Sequence, residues 1–259
     1  MTTTILLSAG SRPHSPTTTQ SSGRWGRCLL LAAAAAGCLL GVTAGTAAAA
    51  GAPGATQLAV LLTAQRAYQS PSTGSRQVAL VAARRPITGE RTTLPVIRRG
   101  TGAGGANWLK VLLPGRPNGS SGWIPAQATR ELVSAWRLVV NLARRRVTVY
   151  RDGHMVRAFR AVVGKSSTPT PTGRFFVEEV LKMPASEAGG PFALALSARS
   201  NALQEFEGGP GQIAVHGRNN LGGTLGTAAS HGCIRLSTAS IDWLAFRIGP
   251  GTPVAIKGS

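Results

Sequence analysis

The sequence predicts a mainly β protein, a small β module followed by a larger β-sandwich with one or two helices. Three observations lead there. From Gln77 onward, short runs rich in Val, Leu, Ile and aromatic residues alternate with Gly, Pro and Asn clusters at turn-sized intervals. Arg151-Asp152-Gly153 joins two such runs as a tight hairpin does. Helical spacing of apolar residues marks one segment, after Ser237.

Residues 1–50 read as a signal peptide or membrane anchor. Arg24 and Arg27 precede an uncharged run from Cys28 to Ala50 that is rich in leucine and alanine, a positive region followed by an apolar one. Ala48-Ala49-Ala50 offers a small-residue cleavage site before Gly51. The run is also long enough to stay as an anchor, and Ala35-Ala36-Gly37-Cys38 approximates a lipoprotein box without its usual leucine. Cleavage is the first reading; retention and lipidation at Cys38 stay open. Each of them implies export. Residues 51–75 are expected as a linker or a short helix, with Gln57 to Tyr68 as the helical candidate.

Residues 76–131 are expected to form the small β module. Its strands are Val78 to Val81, Thr93 to Ile97, Trp108 to Leu113 and Gly122 to Ile124, with turns at Gly100 to Gly105 and Pro114 to Gly119. Trp108 and Trp123 suit either a ligand groove or the core of a small barrel, and core is the first reading.

Residues 134–258 are expected to form the sandwich. Trp136 to Leu142, Arg146 to Tyr150 and Met155 to Val163 open it, and Phe175 to Val177, Phe192 to Leu196 and Gln212 to Val215 continue it, the last ending at His216. Ser237 is the expected N-cap of a helix whose Ile241, Leu244, Ala245 and Ile248 share a face and which Gly249-Pro250-Gly251 stops. Thr252 to Ile256 closes as a final strand.

The chemistry concentrates in Ser230-His231-Gly232-Cys233-Ile234-Arg235, with His216-Gly217 upstream. Cys233 is the only cysteine beyond residue 38. A cysteine reacts as its thiolate, and an imidazole nearby removes the proton and stabilises the anion. The bland alternative, an inert buried thiol, gains nothing from Ser230, His231 and Arg235 around it, because each would need a polar partner in a core. Zinc is the rival reading, with His216, His231 and Cys233 as ligand types. It is weaker, because structural zinc takes four ligands at paired short spacings and no second Cys/His pair exists.

These motifs resemble those of the YkuD-type L,D-transpeptidases, cysteine enzymes of bacterial peptidoglycan. Thr168-Pro169-Thr170-Pro171-Thr172-Gly173-Arg174-Phe175 is similar to a second family motif, a Pro-rich turn leading into a strand, and the resemblance covers about the C-terminal half. It implies Cys233 as nucleophile, His216, 17 residues before it, as general acid/base, and the Gly217 carbonyl as the group that orients the imidazole. It further implies that His231 and Gly232, with the Cys233 amide, shape the oxyanion hole. Ser230 and Arg235 then brace the loop or hold a substrate carboxylate. No triad carboxylate is required, which suits a chain whose one nearby downstream acid is Asp242, and neither a metal nor an organic cofactor is implied. Arg218 departs from relatives that carry a small hydroxyl residue there.

The implied reaction is acyl transfer through a thioester. Cys233 attacks the amide carbonyl of an L-configured stem residue, expels the terminal D-residue and passes the acyl group to a second stem amine as a 3→3 cross-link. An L,D-carboxypeptidase using water on the same residues stays open, as does a non-catalytic wall-binding protein. The segment from Lys182 to Gly211 reads equally as a lid over the acyl-donor site and as an ordinary loop. Trp108 to Ile124 is similar to bacterial SH3-like modules found beside such domains.

Charge sets the partners. There are 28 Lys and Arg against 9 Asp and Glu; without Arg12, Arg24 and Arg27 of the leader, 25 against 9 leave +16. No stacking motif or recognition helix accompanies the arginines, which argues against nucleic acid. Peptidoglycan stem peptides, anionic wall polymers and membrane headgroups are the expected partners. Arg84-Arg85, Arg98-Arg99 and Arg144-Arg145-Arg146 read first as solvated faces.

Overall fold

The computed structural model describes residues 54–206 and 208–259. The leader read in residues 1–50, with Cys28 and Cys38, lies outside the described residues. Strands β1 (Thr56–Leu61), β2 (Gln65–Tyr68), β3 (Gln77–Val81), β4 (Thr93–Thr101), β5 (Asn107–Leu112), β6 (Ser121–Pro125) and β7 (Thr129–Ser134) form one sheet in the order β3-β2-β6-β5-β4-β1-β7. Its core holds Leu61, Leu94, Leu109, Val111 and Ile124. Trp108 and Trp123 are buried. Tyr68 meets Trp108 edge-on at 5.8 Å, and Gly100 makes room for the Trp123 ring, since a Cβ there would approach it to 2.7 Å.

Residues 54–75 depart from expectation. Instead of a linker or short helix, Gln57 to Tyr68 supplies β1 and β2, and the sheet starts at Thr56 instead of residue 76. β1 lies between β4 and β7, antiparallel to both, with Leu58 opposite Pro95 and Leu132. Alanine-rich composition favours a helix locally, but burial of Leu58, Ala59, Val60 and Leu61 within the sheet overrides it.

The second sheet contains β8 (Trp136–Asn141), β9 (Arg146–Arg151), β10 (His154–Arg160), β12 (Gly173–Lys182), β13 (Phe192–Arg199), β14 (Gln212–His216), β16 (Ile234–Arg235) and β17 (Pro253–Lys257). Their order is β10-β9-β8-β17-β12-β13-β14-β16. β11 (Val163–Gly164) and β15 (Ala228–Ser230) pair separately, in parallel. Among the described residues there is one α-helix, α1 (Thr238–Ala245), with Ser237 as the N-cap accepting from the Ser240 amide. Ile241 and Leu244 of α1 pack on the core formed by β8, β9, β12 to β14 and β17.

β12 joins the two cores. Successive strand residues face opposite sides, so Phe175 enters the core of the second sheet while Phe176 enters that of the first. Beyond them Glu178 is buried between Arg85 and Arg199, and Glu179 accepts from the amide and hydroxyl of Thr88, both at 2.9 Å. Arg85 is therefore not part of a solvated face: its guanidinium closes a buried ion pair with Glu178, where an unpaired carboxylate would be costly.

Candidate active site

β14 ends at His216, and Cys233 immediately precedes β16. The two strands are parallel, with Val215 opposite Ile234 and His216 opposite Arg235. Opposed residues point the same way and successive ones alternate. Val215 and Ile234 therefore fill the core, and His216, Arg235 and Cys233 project together from the other face. His216 and Cys233 line one crevice of about 560 Å³. Cys233 Sγ accepts from the Ala214 amide at 3.4 Å and lies 4.0 Å from Gln212 O.

The imidazole is held in one tautomer. His216 Nδ1 lies 2.6 Å from Gly217 O; a carbonyl only accepts, so Nδ1 carries the hydrogen in the neutral ring and Nε2 keeps the lone pair. Burial pushes the His216 pKa below its ordinary value; the Gly217 contact opposes this and the Arg235 charge reinforces it. Glycines back the ring. Gly189 has φ +85°, and a Cβ there would stand 2.7 Å from Nδ1, while one on Gly217 would overlap the Gly190 carbonyl. Side chains are thus excluded where the loop preceding β13 closes on the histidine.

The turn carrying the thiol is braced from within and without. Ser230 is buried, and its Oγ donates to Cys233 O at 2.6 Å and accepts from the Gly232 amide at 3.2 Å. The Gly232 amide is thereby engaged inside the turn. The Gly232 φ of +121° is one that L side chains rarely adopt. Thr170 Oγ1 donates to Gly232 O at 2.7 Å and accepts from the Gly164 amide at 2.9 Å, while Thr168 Oγ1 donates to Ser230 O at 3.2 Å. The Thr-Pro repeat, in the sequence a turn and no more, is the buttress of the cysteine loop.

His231 points out of the turn and stacks on Phe206 with ring centroids 5.6 Å apart. Among the described residues no three His, Cys, Asp or Glu side chains group as metal ligands. Arg235 donates to Gly222 O at 2.8 Å and Arg218 to Gly223 O at 3.0 Å. Two arginines thus fasten the glycine-rich insertion between His216 and Cys233.

The stretch from Lys182 to Gly211 is not one loop. β13 divides it, because Phe192 to Arg199 pairs with both β12 and β14. What remains is a loop at 183–191, behind His216, and a segment after Arg199 that supplies Leu203, Phe206 and Pro210 to the crevice. Sequence reading missed Thr168, Thr170 and Gly189 as parts of the site. The repeated Thr-Pro pairs and the Gly189-Gly190 doublet were the available signals, and neither says which distant segment it meets.

Residues 135–256 match the family model described as the YkuD L,D-transpeptidase catalytic domain. Over 124 residues the chain is 32% identical to YkuD of Bacillus licheniformis, covering 47% of this chain and 65% of that protein. Over 125 residues it is 29% identical to YkuD of Bacillus subtilis, covering 47% and 66%. Over 128 residues it is 29% identical to L,D-transpeptidase 1 of Mycobacterium tuberculosis, covering 46% and 49%. The chain thus spans just under two thirds of the two YkuD relatives and about half of the third.

Proposed function

We propose that this chain is a peptidoglycan L,D-transpeptidase that forms 3→3 cross-links through a Cys233 thioester. The observation that carries it is the projection of His216 and Cys233 from one face of the β14–β16 pair into one crevice, with Nδ1 engaged by Gly217 and the Nε2 lone pair left as base. Nε2 takes the thiol proton, and the thiolate adds to the amide carbonyl at the L-configured centre of the donor stem. The oxyanion is stabilised by the Cys233 amide in a turn that Ser230 and Thr170 hold rigid. The C–N bond then breaks, and the leaving amine of the terminal D-residue carries off the proton from Nε2. In the second half the acceptor amine adds to the thioester carbonyl, gives its proton to Nε2, and the C–S bond breaks to restore the thiolate.

Water in place of the amine would make the same residues an L,D-carboxypeptidase. Nine of the crevice-lining side chains, from Ile87 to Leu221, are apolar, and an apolar wall disfavours water against a bound amine. The first sheet reads as an SH3-like module docked on the catalytic one. Export by the leader and attraction of the basic surface to anionic wall polymers or headgroups fit the same role.

Incubation of the full chain with purified stem peptides tests the reading. Cross-linked dimer is the expected product; release of D-alanine alone assigns the carboxypeptidase. Cys233→Ala loses either product while keeping the wild-type melting profile. Unchanged product formation in that variant removes Cys233 from the mechanism.

A further inference from the structure

The crevice is not built by the second sheet alone. Arg116, in the turn between β5 and β6, donates to three carbonyls of the segment that follows β13: Pro210 O at 2.9 Å, Ser200 O at 2.7 Å and Leu203 O at 3.2 Å. Two residues on, Asn118 clasps the start of that segment. Its Nδ2 donates to Arg199 O at 2.7 Å and its Oδ1 accepts from the Arg199 amide at 2.8 Å. The segment so held carries Leu203 and Phe206 into the crevice, and Phe206 in turn stacks on His231, two residues from the thiol.

A second contact comes from the hairpin between β3 and β4. Thr88 and Arg85 tie this hairpin to Glu179 and Glu178 of β12. Ile87, which lies between those two anchors in sequence, joins the crevice lining although it is 66% exposed. An isoleucine so open, lining the same crevice as Met183 and Leu203, is an apolar rim that no other described residue covers.

We propose that the first sheet is a working part of the substrate crevice: Arg116 and Asn118 are positioning residues that fix its outer wall, and Ile87 is a specificity residue that contacts the donor peptide at its rim. This rests on the transpeptidase reading for the identity of the substrate, and on the carbonyl clamp for the geometry. Three carbonyls on one guanidinium are a demanding arrangement. Arg can satisfy them together because its five N–H groups are held in a rigid fork, whereas Lys presents a single ammonium point charge.

Hydrogen exchange and steady-state kinetics on the full chain test it. In Arg116→Ala, amides from Ser200 to Phe206 and from Gly208 to Gly211 should exchange about tenfold faster while those of β12 to β14 keep their rates. KM for the stem-peptide donor should rise about tenfold with kcat within about twofold, as for lost ground-state positioning. Arg116→Lys should recover part of both effects, and Ile87→Ser should raise KM without altering the exchange. Unchanged exchange and KM in Arg116→Ala overturn the proposal, and so does an exchange increase spread equally over β12 to β14. Should the wild-type chain transfer no acyl group, the transpeptidase reading fails while the exchange measurement, which needs no turnover, still decides whether the first sheet fixes the wall.

Discussion

Thr170 Oγ1 and Gly232 O are joined by a buried hydrogen bond of 2.7 Å across 62 residues of chain. The same hydroxyl accepts from the Gly164 amide, so one side chain satisfies two backbone groups beside the reactive turn. Thr170→Val keeps the shape and removes both bonds, leaving the part-buried Gly164 amide and the buried Gly232 carbonyl unsatisfied. A loss of about 2–4 kcal/mol is expected in urea unfolding, with a changed rate of Cys233 alkylation by iodoacetamide. Thr170→Ser should restore both. Wild-type stability in Thr170→Val would show that the turn holds without its buttress.

The pH profile follows from His216. Its pKa is lowered chiefly by burial, so the imidazole remains the neutral base at pH values where an ordinary histidine, near 6.5, is already protonated. The acid limb of kcat/KM should therefore lie below about 6.5. Arg235→Gln removes a positive charge that disfavours the imidazolium, so the limb should move to higher pH. Stability carries the same sign. The unfolded chain binds the proton first as pH falls, so stability declines from the unfolded pKa down to the folded one and stays lower below it, and His216→Gln should lose that dependence. A limb unmoved in Arg235→Gln would show that the charge is screened from the ring.

Phe176 couples the two sheets. It lies on β12 of the second sheet but is buried in the core of the first. Phe176→Ala should cost about 3–5 kcal/mol and be felt by both cores, seen as a single unfolding transition lowered as a unit when tryptophan fluorescence and far-UV dichroism are compared. Two separated transitions in the wild-type chain, with only one shifted by the substitution, would show sheets that fold independently.

Much of the second sheet was legible because its strands are bounded by local chemistry. Arg151-Asp152-Gly153 marks a hairpin whose Asp152 and Gly153 have positive φ, and Ser237 caps the helix that follows the thiol. β1 and β2 were not legible. Their alanines suit a helix, and only pairing in the sheet, of β1 between β4 and β7 and of β2 between β3 and β6, makes the extended form better. The Lys182 to Gly211 stretch failed for the opposite reason, since its composition looks like loop throughout and only pairing with β12 and β14 selects Phe192 to Arg199 as strand.

The candidate residues of the proposed chemistry, a thiol, an imidazole and the glycines beside them, are legible in the sequence alone, because reactivity belongs to side-chain type and close approach of chains to glycine. Which groups stand behind them is a tertiary fact. Thr170 against Gly232, Gly189 against His216 and Arg116 against Ser200 each join segments far apart in the chain. No local preference encodes such a meeting, because a hydrogen bond between distant segments exists only after the sheets that carry them have packed.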